Sequence, residues 1–229
     1  MLLQEIKIIL SRASEGGNVG AVCRVMKNMG LSGLRLAAPV PLLLEKIHIF
    51  AVNSWDIWEN ARIFDNLQAA TADCSVIIGT TRRRGQNRKN ISMTPRDLAA
   101  WLAERPEGAG SAAIVFGNER TGLEDAELEL CNFASHIPVC ETQPSLNLSH
   151  AVQIYAYEFF LAMERQNAVK GEWSAMNQTE IRMLIDSLPY PKREDPVRFL
   201  HDVIARAGLS QSEGKRFEEL LRKAERISG

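Results

Sequence analysis

The sequence predicts an α/β fold in which a parallel sheet is flanked by helices, with a small helical extension after it. Three observations carry this. Short apolar, β-branched runs alternate with segments of helical period, and the connections between them are short. Several of those runs stop at a glycine or a polar turn, where the strands of an open parallel sheet meet their ligands. The 229 residues, 45% of them hydrophobic, suffice for one such domain and an appendage. The expected division is a domain over 1–165 and a linker with a helical extension over 166–229.

Ile6 to Leu10 is an apolar, β-rich run and forms the first strand. Ser14 to Asn18 is a loop. Asn18 then caps a helix that runs to about Met29, with Val19, Val22, Cys23 and Met26 along one face and Gly30 as its stop. Helical side chains lean toward the amino end, so Arg24 leans over Gly20, where no side chain obstructs it. The free N–H groups of the helix start favour an anion there. On helix geometry alone, Arg24 reads equally well as a solvated surface cation.

Gly33 to Ala37 is the second strand, closed by Pro39 and Pro41. Leu42 to Trp58 mixes helix and turn, and its tryptophans are read as packing rather than stacking on bases. Ala61 to Phe64 is a short strand, Asn66 to Thr71 a short helix, and Ser75 to Ile78 a strand that ends at Gly79. Thr94 and Pro95 open a helix to about Glu104, threonine as cap and proline in the first helical position. Ser111 to Phe116 is nearly uncharged and reads as a buried strand. Phe133 to Val139 is another. Asn147 to Arg165 is a long helix, apolar at 148, 151, 152, 155 and 159 and again at 154, 157 and 161. A helix apolar on two sides needs two partners; the sheet is one and a second subunit is the other, which supports a homodimer. In the tail, Asn177 with Glu180, Asp195 with Pro196, and Ser210 with Glu213 open three short amphipathic helices.

Net charge is −1, so no global field draws nucleic acid, and any RNA contact must be local. Arg82, Arg83, Arg84, Arg88 and Lys89 place five cations in eight residues. Such a run is commonly a solvated surface loop. In a chain otherwise nearly neutral, contact with RNA phosphates is the favoured reading. Cys23, Cys74, Cys131 and Cys140 show no metal-ligand spacing and the four histidines are scattered, so no metal is expected and buried reduced thiols are. The amino terminus lacks a signal peptide and no apolar run reaches the ~18 residues that span a bilayer. A soluble, cytoplasmic protein without a membrane partner is expected.

Thr80 and Thr81 after Gly79, Gly117 and Ile137 all fall at strand ends, so the pattern converges them on one crevice. Glu119 and Arg120 lie between Gly117 and Gly122; taken alone, that segment is a turn with surface charges. Three separated motifs alter the balance. They are Asn18-x-Gly20-x-x-x-Arg24; Phe116-Gly117-x-Glu119-x-x-Gly122, followed by Ile137-Pro138; and Ser145-Leu146-Asn147-Leu148-Ser149-x-Ala151. In this order the chain, from about Leu3 to Arg165, resembles the SpoU-type RNA 2′-O-ribose methyltransferases of the SPOUT superfamily. The run from Gly79 to Arg84 and the helical tail are most similar to the branch that acts on nucleotide 32 of the tRNA anticodon loop.

The resemblance implies S-adenosylmethionine as methyl donor, held by Thr80, Thr81, Arg82, Gly117, Ile137, Pro144, Ser145 and Leu146. It implies a reaction centre of Asn18, Arg24, Glu119, Ser145 and Asn147, a tRNA substrate and a homodimer. It also implies a deep C-terminal trefoil knot around Pro138 to Leu148, which ordinary topology rules would not propose. Arginine stays protonated in proteins, so Arg24 suits holding a phosphate and stabilising a forming alkoxide better than acting as base. The rival readings are an rRNA substrate, a non-catalytic RNA-binding relative, and an enzyme whose basic loop grips a phosphorylated metabolite. The intact set of Asn18, Arg24, Glu119 and Asn147 favours RNA methylation.

Overall fold

Seven strands, β1 (Ile6–Ser11), β2 (Gly33–Ala37), β3 (Arg62–Phe64), β4 (Cys74–Thr80), β5 (Ser92–Met93), β6 (Ser111–Phe116) and β7 (Phe133–Ser135), form one sheet in a computed structural model of the chain. Their order is β3-β2-β1-β6-β4-β7-β5 and every pairing is parallel. The structure describes residues 3–81, 92–106, 108–140, 142 and 145–169. The expected RNA-contacting Arg82, Arg83, Arg84, Arg88 and Lys89, the expected cofactor contact Pro144 and the three tail helices lie outside the described residues. The expected knot involves Pro138 to Leu148, of which Glu141, Gln143 and Pro144 lie outside them too.

Seven α-helices accompany the sheet among the described residues: α1 (Gly16–Asn28), α2 (Leu44–Ala51), α3 (Trp55–Glu59), α4 (Leu67–Thr71), α5 (Pro95–Glu104), α6 (Asp125–Leu130) and α7 (Leu148–Val169). The predicted parallel sheet with flanking helices is thus the observed architecture. Ile8 and Leu10 of β1, Ile78 of β4 and Ile114 of β6 meet Val22 and Met26 of α1, Leu98 of α5, and Val152, Tyr155 and Phe159 of α7 in the larger core. On the other face, Ile9 and Val115 meet Leu67 and Ala70 of α4 and Leu123 and Leu128 around α6. Strands covered on both faces are apolar along most of their length, which is why Ile8 to Leu10 of β1 and Ala112 to Phe116 of β6 lack the alternation of a half-solvated strand.

Local chemistry sets most boundaries. Asn66 caps α4 by accepting from the Ala69 N–H at 2.8 Å, and Thr94 caps α5 with Pro95 as its first residue. Four expectations are corrected. α1 starts at Gly16 with Glu15 at the cap, so Asn18 lies inside the first turn and its amide is left for other partners. β7 ends at Ser135 rather than Val139: His136 donates its N–H to the Met93 carbonyl at 3.0 Å, and Pro138 has no N–H to continue a ladder. α7 passes Arg165 and runs to Val169. Helix α6 was not expected, although Glu124 and Glu127 satisfy each other's backbone in a capping box.

Gly20 is a fifth correction. It is buried, and a Cβ there would sit 2.3 Å from the Ile47 carbonyl oxygen of α2. The missing side chain lets α1 and α2 touch backbone to backbone; it does not clear a path for Arg24. Gly20→Ala is therefore expected to destabilise the fold by about 1–3 kcal/mol, even after the ~1 kcal/mol gained in helix propensity. Equilibrium denaturation measures this, and a variant as stable as the wild type would contradict the packing.

At the far end of the strands, buried Arg35 of β2 donates to Asp73 at 2.8 Å and to the Ala70 carbonyl at 2.7 Å. Hydrogen bonding and attraction from Arg35 hold the Asp73 carboxyl down at about 2. A folded-state value below the unfolded one stabilises the fold above the ordinary carboxylate range, and that contribution is lost as pH falls through about 2. The stability gap between wild type and Asp73→Asn should hold constant above about pH 5 and shrink on acidification below about pH 4. A gap that widens in acid would contradict the pair. Among the described residues no helix is long and apolar enough to cross a membrane, and no cluster of potential metal ligands occurs. None of the four cysteines forms a disulfide; Cys23 and Cys131 are buried as expected, Cys74 is half-buried and Cys140 is exposed. Burial pushes the Cys23 thiol up to about 12.

Candidate active site

The carboxyl ends of β4, β6 and β7 and the start of α7 enclose an open cleft of about 190 Å³. Phe116, Leu148 and Tyr155 supply apolar surface, and Thr80, Asn118 and Ser145 supply polar chain ends. The cleft lies where strand order departs from chain order, with β6 seated between β1 and β4. Such a switch point leaves a crevice outside the strand ends.

Gly117 closes β6. A Cβ there would lie 2.2 Å from the Gly122 carbonyl carbon and the Leu123 nitrogen. The close approach is made by the chain itself, which turns back over Gly117 and bonds Gly122 N–H to the Asn118 carbonyl at 2.8 Å. The turn is held by the Asn118 side chain, whose Oδ1 accepts the N–H groups of Arg120 at 3.0 Å and Thr121 at 3.3 Å. Folded this way, the loop delivers Glu119 to the start of α1.

There Glu119 accepts from the Ser14 N–H at 3.2 Å, the Ser14 hydroxyl at 3.0 Å, the Glu15 N–H at 3.3 Å and Asn18 Nδ2 at 3.4 Å. An ionised carboxylate only accepts, so it sets the orientation of the next two amides. Asn18 turns its Nδ2 to Glu119 and presents Oδ1, which receives Asn147 Nδ2 at 2.8 Å. Asn147 then uses Oδ1 to cap α7, accepting the Ser149 N–H at 2.9 Å and hydroxyl at 2.7 Å. One polar chain therefore joins one residue from each of the three sequence motifs.

Thr80, Thr81, Gly117, Ile137, Ser145 and Leu146 all line the cleft, where the sequence places them. Arg24 is not brought to the cluster within one chain. It is exposed on α1 and makes no hydrogen bond or ion pair with a described residue. Six residues of helix carry it ~9 Å along the axis and ~120° around it from Asn18.

Sequence reasoning missed three contributors. Asn118 builds the turn; an asparagine directly after a strand-ending glycine is its signal. Arg12 grips the same loop from the end of β1. Tyr155 carries no motif: its hydroxyl donates to Ser135 Oγ at 2.8 Å, and Ser135 donates to the Met93 carbonyl at 2.8 Å. Burial pushes the Tyr155 phenol above its ordinary value, with the Ser135 hydrogen bond opposing, so it acts as a neutral donor in the cleft wall.

Comparison with known proteins bears on this arrangement. The model of the SpoU rRNA Methylase family matches residues 5–157. The tRNA (cytidine/uridine/adenosine-2′-O-)-methyltransferase TrmJ of Pseudomonas aeruginosa is 36% identical over 186 residues, 81% of this chain and 71% of that protein. The tRNA (cytidine-2′-O-)-methyltransferase TrmJ of Methanocaldococcus jannaschii is 34% identical over 182 residues, 79% of this chain and 78% of that protein. The solved structure of a probable methylase family protein from Haemophilus influenzae aligns with a TM-score of 0.75 at 32% identity, covering 99% of this chain and 98% of that one.

Proposed function

The chain belongs to the SpoU rRNA methylase family and is an RNA 2′-O-ribose methyltransferase; from that premise we propose that it uses S-adenosylmethionine to methylate a tRNA ribose, at nucleotide 32 of the anticodon loop. The observation that carries this is the chain from Glu119 through Asn18 to Asn147 beside the cleft at the strand ends. The residues present suit the donor. Ile137, Leu146, Leu148 and Tyr155 offer apolar surface to a flat ring, and Thr80, Asn118 and Ser145 offer polar atoms to hydroxyls and a charged chain. S-adenosylmethionine supplies a methyl already activated for transfer.

Two tasks remain for the protein: aligning the ribose hydroxyl and making it nucleophilic. Alignment falls to the rigid amide pair Asn18 and Asn147, which the Glu119 carboxylate orients. Arg24 carries an uncommitted positive charge suited to the target phosphate and the developing alkoxide. Its place on α1 suits service at the site of a second copy in a homodimer. The second apolar set of α7 supports that assembly, with Ile154 and Leu161 half-buried and Tyr157 exposed. So do Leu43, Leu44, Ile49 and Phe50 on and beside α2, all exposed beside α1. Arg82, Arg83, Arg84, Arg88 and Lys89 fit as phosphate contacts that position RNA without reading its sequence.

The reading favours tRNA over rRNA because the two TrmJ relatives carry tRNA names. Its test is incubation of the full chain with labelled S-adenosylmethionine and unmodified tRNA transcripts, followed by mapping of 2′-O-methyl groups. Label at nucleotide 32 is the expected result; reproducible label at another single nucleotide would remove the positional assignment.

A further inference from the structure

We infer that Arg12 is a positioning residue for the methyl-transfer site, setting the 117–123 loop that carries Glu119 and walls the cleft. Arg12 directly follows β1 with φ at +54°, a left-handed conformation that few residues other than glycine adopt without strain. That backbone does specific things. The Arg12 N–H donates to the Ala37 carbonyl at 2.8 Å, while its carbonyl receives Asn118 Nδ2 at 2.7 Å, at the entrance of the loop. The chain then turns to bring Ser14 beneath Glu119.

The side chain holds the exit of the same loop. Nη2 donates to the Gly122 carbonyl at 2.9 Å and Nη1 pairs with Glu124 at 2.8 Å. Nε and Nη2 grip the two oxygens of Glu127 at 3.1 and 2.7 Å, a bidentate fork that a lysine cannot reproduce. Glu127 is fixed in turn by the Ser11 hydroxyl and by the Glu124 N–H at 2.7 Å. Burial would raise the Glu127 carboxyl, but hydrogen bonds from Arg12 and Ser11 outweigh it and hold the group ionised below its ordinary value. An exposed ion pair would contribute little. Here the Glu127 side chain is 12% exposed and Arg12 25%, and one residue holds both ends of the segment, the entrance through its carbonyl and the exit through its guanidinium. Small displacements of a site wall can cost about 10²-fold in rate.

The inference rests on the methyltransferase reading, and its test separates the two. The full chain is compared with Arg12→Lys, which keeps the charge and loses the fork. Hydrogen exchange of the loop amides, residues 118 to 123, is expected to speed up at least about tenfold. Calorimetry with S-adenosylmethionine should show about a tenfold higher Kd, and kcat at saturating cofactor should fall about tenfold, because the loop that shifts also carries Glu119. Unchanged loop exchange with unchanged Kd would overturn the inference, as would a loss of kcat without a change in Kd. Should Arg12→Lys fail to fold, Glu127→Gln is read by the same measures. A wild type that binds no S-adenosylmethionine would defeat the methyltransferase reading, and loop exchange would still decide the role of Arg12.

Discussion

Arg24→Ala is expected to lower methyl transfer by at least about 10³-fold while leaving the Kd for S-adenosylmethionine within about twofold of wild type. The side chain is solvent-exposed and has no partner among the described residues, so its removal leaves no buried group unsatisfied and costs the fold little. Its charge is uncommitted until RNA arrives. Loss should therefore appear in turnover and in RNA binding at low salt, with the melting temperature unchanged. Single-turnover rates at saturating cofactor, paired with calorimetry, measure the two halves separately. A variant that loses cofactor affinity along with turnover would contradict the division of labour and move Arg24 into the cofactor site.

Glu119→Ala is expected to act differently, lowering kcat/KM by about 10²-fold and stability by about 1–3 kcal/mol together. The carboxylate accepts from Ser14, Glu15 and Asn18, and deleting it leaves those donors to whatever water can reach them. The orientation of Asn18, and through it of Asn147, is then no longer specified. Glu119→Gln separates the two losses. Glutamine keeps one acceptor oxygen but turns an NH₂ toward groups that are themselves donors, so it should fold nearly as well as wild type and still lose activity. Steady-state kinetics and thermal melts on both variants check this. Activity of Glu119→Gln within about threefold of wild type would mean that the amide pair is not part of the reaction centre.

Much of this molecule was legible before any coordinates. A strand such as Ser111–Phe116 announces itself because a strand buried on both faces has little room for polar residues. Asn66 and Thr94 mark helix starts because their side chains replace missing backbone acceptors. Elements that depend on partners far along the chain were hidden. β5 has two residues and exists only because β7 lies beside it. Gly20 looked like an opening beneath Arg24 and is instead a contact with α2, which no local pattern reports. The motif residues Asn18, Glu119 and Asn147 could be named from the family resemblance, but the order of their hydrogen bonds could not, since it follows from which group is obliged to accept. Arg12 escaped notice for the same reason: a lone arginine after a strand shows nothing of the four-sided grip that folding gives it.

The most direct test is nucleoside analysis of bulk tRNA after reaction with the full chain and methyl-labelled S-adenosylmethionine. Label confined to 2′-O-methylated ribonucleosides, and formed at least about 10²-fold more slowly when Asn18, Glu119 or Asn147 is replaced by alanine, is the expected result. Label on a base, or transfer undiminished by all three replacements, would show that the cleft beside Glu119, Asn18 and Asn147 does not methylate RNA ribose.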